Sequence, residues 1–100
     1  MKTTILEKDG NITAILEGRL DTATAPETEK AMKPIYDSEG KDIILDCAGL
    51  EYISSAGLRI FLCILQKAQG KGQEVYIKDM TDNVRAVFAM TGFSNIFKFK

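Results

Sequence analysis

Short runs of β-prone residues alternate along this chain with stretches whose apolar positions recur every three or four residues. The first kind predicts strands at Thr3 to Glu7 and Ile12 to Glu17, joined by Lys8-Asp9-Gly10-Asn11, where Asp-Gly signals a hairpin. Gly18-Arg19-Leu20-Asp21 closes the second strand. Thr24, with Glu27 three residues on, predicts a capping box for a helix running to about Ser38, and Pro26 is tolerated in its first turn. Pro34 falls inside that helix and should kink or end it. Ile43-Ile44-Leu45 is continuously apolar, the pattern of a strand covered on both faces.

A second helix is predicted after Ser54 and Ser55, stopped by Gly70, Lys71 and Gly72, and Glu74 to Ile77 then reads as a strand. Thr81 can cap a last helix with Val84, Val87 and Phe88 on one face and Gly92 as its terminator. Phe97 and Phe99, alternating with Lys98 and Lys100, predict a final short strand. The order ββαβαβαβ makes this an α/β chain, a mixed sheet of about five strands packed against helices, with the Ile43 to Leu45 strand near the middle. One hundred residues suffice for one core and not two, so residues 1–100 are expected to form a single domain.

The helix after the serines has a marked face. At 100° per residue, Leu58, Phe61, Leu62, Leu65 and Ala68 share a broad stripe expected to lie on the sheet. Ile60 and Cys63 project from the opposite side beside Arg59 and Lys67. Isolated exposed apolar residues are ordinary, but here they predict a docking surface next to the serines. The junction itself, Tyr52 to Phe61, sets Ser54 and Ser55 at a helix start, where unpaired backbone N–H groups and the helix dipole favour negative charge. A serine there either caps the helix or offers its hydroxyl to a phosphate.

Composition narrows the chemistry. Thirteen basic and fourteen acidic residues give a net charge of −1 with no basic cluster, which argues against direct nucleic-acid binding. Histidine is absent, which removes Ser–His and Cys–His catalysis and the common zinc sites. No glycine-rich phosphate loop or G-x-S-x-G element is present either, so no catalytic residue, cofactor or metal is expected. Cys47 and Cys63 lie in apolar runs, too far apart for C-x-x-C, and are expected to be free thiols. The polar N-terminus and the lack of a long apolar run predict a cytoplasmic chain without a membrane span.

Four segments together resemble the anti-sigma factor antagonists of the STAS domain family: Gly18-Arg19-Leu20-Asp21, Ile43-Ile44-Leu45-Asp46, Tyr52-Ile53-Ser54-Ser55-Ala56-Gly57-Leu58 and Met90-Thr91-Gly92-Phe93. Their order and spacing cover nearly the whole chain. The resemblance implies a partner switch, in which the unmodified protein binds an anti-sigma factor that is also a serine kinase, and so frees the sigma factor. Phosphorylation from ATP makes it let go, and a phosphatase of the PP2C type resets the cycle. The implied acceptor is Ser55, two residues before Gly57, with Ser54 as the alternative. Asp21 and Asp46 match positions at the same end of the sheet. The expected partner surface is therefore Asp21, Ser54, Ser55, Ala56, Gly57, Arg59, Ile60 and Cys63, on a monomer. The rival expectation is a STAS-type interaction subunit of a transport or other signalling complex that is never phosphorylated.

Overall fold

A computed structural model describes residues 1–100. The hairpin is formed by β1 (Lys2–Lys8) and β2 (Asn11–Leu20), which pair antiparallel. Asp9 (φ 53°) and Gly10 (φ 81°) both take positive φ, as a two-residue turn matched to strand twist requires. Then follow α1 (Ala25–Ala31), α2 (Lys33–Asp37), β3 (Asp42–Ile53), α3 (Ser55–Gly70), β4 (Val75–Lys78), α4 (Asp82–Thr91), a 3₁₀ turn at Phe93–Asn95 and β5 (Lys98–Phe99). The strands lie in the order β1-β2-β3-β4-β5, and all pairs after the hairpin are parallel. Parallel neighbours need crossovers, and the helices supply them.

The helices cover one face of the sheet. Over the first six residues of β2 and of β3 burial alternates: Ile12, Ala14 and Leu16, and likewise Ile43, Leu45 and Cys47, point into the core. Thr13, Ile15 and Ile44 face the other way and are only partly covered. The expectation of a strand covered on both faces is thus corrected. Apolar content alone cannot distinguish two-sided burial from an open face that carries isoleucine. Between helices and sheet lies an aromatic cluster in which Phe61 meets Phe88 edge-on at 6.0 Å and Phe97 at 6.4 Å, with Phe93 at 5.9 Å from Phe88.

Two helix ends follow the predicted chemistry. The Thr81 hydroxyl accepts the Val84 N–H, and Gly92 ends α4 in the left-handed conformation. The first helix is broken at Met32, two residues before Pro34, which has no N–H to continue the ladder. The Thr24–Glu27 capping box does not form. Thr24 precedes α1, but its hydroxyl accepts the Asp21 N–H at 3.0 Å and donates to the Arg19 carbonyl at 2.9 Å instead.

Candidate partner-binding site

The C-terminal ends of β2 and β3 lie side by side, with Leu20 in register with Ile53. In open sheets with parallel strands this is where ligand and partner sites gather, because the loops that leave the strands there are free to carry chemistry. The Ser54 N–H donates to the Leu20 carbonyl at 2.9 Å, which ties the start of α3 to the loop that begins at Asp21.

That loop is shaped by Asp21. One carboxylate oxygen accepts the N–H groups of Ala23 and Thr24, each at 3.0 Å, while the Thr24 hydroxyl, its hydrogen turned to Arg19, lies 3.2 Å away. These bonds, led by the Thr24 N–H, hold the Asp21 carboxyl below the usual carboxylate range. Asp21 therefore builds the wall beside Ser54. Asp46 does not join it. Asp46 sits opposite Lys78 in the sheet, well before Ile53, and accepts the Ala48 N–H at 3.1 Å.

The two serines occupy different environments. Ser54 is the N-cap of α3; its hydroxyl accepts the Gly57 N–H at 3.4 Å and the side chain is partly covered. Ser55 is the first residue of the helix, exposed, and its hydroxyl makes no hydrogen bond within the chain. Capping and an accessible hydroxyl are thus divided between neighbours.

The face assignment of α3 needs correction. Ile60, expected to project outward, is 2% exposed and belongs to the core, while Leu62, expected on the sheet, is partly exposed. Ile64 is buried as well. The buried arc is turned toward Ile60 because α1 and α2 also pack on α3, covering a flank that a sheet alone would leave open. Ile60 shows only an edge in a groove of about 310 Å³, lined by Thr22, Ala25, Pro26 and Glu29 from the α1 side and by Ala56 and Arg59 from α3. Cys63, partly exposed, lies further along α3 near Tyr36, whose phenol is pushed up to about 12 by burial first, then by Glu29 and Cys63. Cys47 is buried, its thiol raised to about 12 by desolvation.

The structure therefore gathers Asp21, Ser54, Ser55, Ala56 and Arg59 at one end of the molecule and removes Ile60 from the exposed surface. It adds Thr22, Pro26 and Glu29, which no periodicity in α1 marks as functional. It also adds Arg19, whose guanidinium lies 4.5 Å from the centre of the Tyr52 ring across the β2–β3 pair.

Against known proteins, the STAS domain model matches residues 3–100. The chain belongs to the STAS domain family. It is 34% identical over 97 residues to BtrV of Bordetella bronchiseptica, a proposed anti-sigma factor antagonist, covering 97% of this chain and 84% of that one. An anti-sigma factor antagonist from Mycobacterium paratuberculosis superposes with a TM-score of 0.88 at 21% identity, covering 98% and 83% of the two chains. SpoIIAA, an anti-sigma factor antagonist and Bacillus cell fate determinant, superposes in its unphosphorylated form (TM-score 0.81, 17% identity, 99% and 88% covered) and in its phosphorylated form (0.74, 15%, 99% and 91%).

In this STAS domain Gly57 sets the start of α3 tightly against the ends of β2 and β3. A Cβ there would lie 2.7 Å from Leu20 Cγ and 2.8 Å from Ile53 Cγ1. Gly57→Ala should therefore destabilise despite alanine's helix propensity, because overpacking at about 1–3 kcal/mol outweighs a gain of about 1 kcal/mol. A shift of the urea midpoint to lower concentration is the expected reading, and an unchanged or higher midpoint would show that the helix start can move aside.

Proposed function

We propose that this STAS domain is a phosphorylation-switched antagonist of an anti-sigma factor. Unmodified, it binds an anti-sigma factor with serine kinase activity through the groove and the first turn of α3. Phosphorylation of Ser55 breaks that complex, and a PP2C-type phosphatase restores it. The domain's part is binding rather than catalysis. The observation that carries this reading is the exposed, unbonded Ser55 hydroxyl on the first turn of a sixteen-residue helix, beside a groove formed with α1. Ser55 is favoured over Ser54 because the Ser54 hydroxyl is engaged as the cap.

A phosphate adds about −1.5 to −2 charges and three acceptor oxygens. The start of α3 accommodates that charge without refolding, since its first N–H groups have no acceptor within the helix. A partner surface desolvated against Ala56 and Pro26 does not. Coupling of about 1–3 kcal/mol suffices for a five- to hundredfold change in affinity.

The test is incubation with ATP and the cognate anti-sigma factor, followed by intact mass measurement and peptide mapping. Ser55→Ala should abolish modification and keep partner binding. Ser55→Asp should weaken binding, though less than phosphate does, since it brings one charge. Modification that survives in Ser55→Ala and disappears in Ser54→Ala would move the acceptor to Ser54. If neither serine is modified by a partner that does bind, the domain is a constitutive interaction subunit.

A further inference from the structure

The charge near Ser55 is unevenly arranged. Arg59 follows it by four residues on α3, so the two side chains stand one above the other on the same exposed strip. Arg59 makes no ion pair and no hydrogen bond; the only ion pairs in the molecule are Lys33–Asp37 and Lys98–Glu74. The one carboxylate that shares its groove, Glu29 on α1, lies beyond ion-pair distance. Arg19, a cation at the same end of the sheet, is stacked on Tyr52. An unpaired guanidinium thus stands one helical turn beyond an unbonded hydroxyl.

Resting on the reading of Ser55 as the acceptor, we propose that Arg59 is the intramolecular clamp for the phosphate. An anion four residues before a cation is the favoured order for a helical pair. A guanidinium can also grip two phosphate oxygens at once, which an ammonium cannot. The phosphate is then held by Arg59 from one side and met by the free N–H groups at the start of α3 from the other. The clamp has a functional consequence. Arg59 lines the partner groove, so modification both adds negative charge there and withdraws the groove's one positive side chain from any partner.

The test places phosphoserine at position 55 during translation by codon reassignment, so that its outcome does not depend on which serine a kinase chooses. The second ionisation of the phosphate is followed by ³¹P NMR in otherwise wild-type protein and in Arg59→Ala and Arg59→Gln. The helix start acts on all three alike, so the difference isolates Arg59. The wild-type phosphate should titrate lower by a few tenths of a unit up to about one unit. That gap should shrink in about 1 M salt, and Arg59→Lys should recover part of it. Equal titration in all four proteins would overturn the clamp while leaving Ser55 as acceptor intact. Kinase mapping to Ser54 would overturn the acceptor while leaving the measured clamp standing.

Discussion

Ile60→Asp should be severely destabilised at neutral pH. Ile60 is 2% exposed, between the sheet-facing side of α3 and the flank packed by α1. Removing a buried isoleucine side chain costs about 2–5 kcal/mol, and a carboxyl in its place must either stay charged without a partner or take up a proton. A total above about 4 kcal/mol consumes most of the stability of a domain at the lower end of the usual 5–15 kcal/mol and a large part of it higher in that range. The sign with pH follows. Burial raises the introduced carboxyl's folded pKa above its unfolded value of about 4, so its penalty is full above the folded pKa and fades as pH falls. The gap in urea midpoint between variant and wild type should therefore be wider near pH 8 than near pH 5. A variant within about 1 kcal/mol of wild type would return Ile60 to the surface and revive it as a docking residue.

Phe61→Ala should lower the thermal midpoint by roughly 12–40 °C, from a loss of about 3–5 kcal/mol at about 4–8 °C per kcal/mol. The ring is fully buried and meets Phe88 and Phe97 edge-on, so its removal leaves a cavity lined by aromatic faces that cannot close over it without moving α4. The same substitution reports on the site indirectly. Phe61 anchors the middle of α3, and the first turn that carries Ser55 is positioned by that anchor together with the close approach at Gly57. Scanning calorimetry checks the magnitude. A shift of less than about 5 °C would mean that Phe88, Phe93 and Phe97 repack without the ring.

Much of the scaffold was legible in the sequence because it depends on short-range chemistry. Asp9-Gly10 needs positive φ at two successive positions, and few sequences supply it. Thr81 and Gly92 close the two ends of α4 with a side-chain oxygen and a left-handed backbone, both local requirements. The break at Met32 follows from Pro34. The serine pair at the start of α3 was visible for the same reason: an apolar helix pattern beginning directly after a strand leaves only a residue or two for the junction.

What the sequence by itself determined, then, is the order of the elements, the place of their ends and the presence of two hydroxyls at the start of α3. Tertiary structure decided which face each element buries. The α3 pattern is compatible with several rotations, and only α1 and α2 beside the helix select the one that buries Ile60 and leaves Leu62 partly exposed. Ile44 reads as core until the helices are seen to lie on one face of the sheet. The Thr24 hydroxyl is lost as a cap to a local competitor, the backbone of Asp21 and Arg19 three and five residues back. The division between Ser54 as cap and Ser55 as free hydroxyl is local, a bond spanning three residues, but it depends on which of the two serines the helix starts after. Local rules act over three or four residues, whereas burial is settled by neighbours that the chain brings together from dozens of positions away.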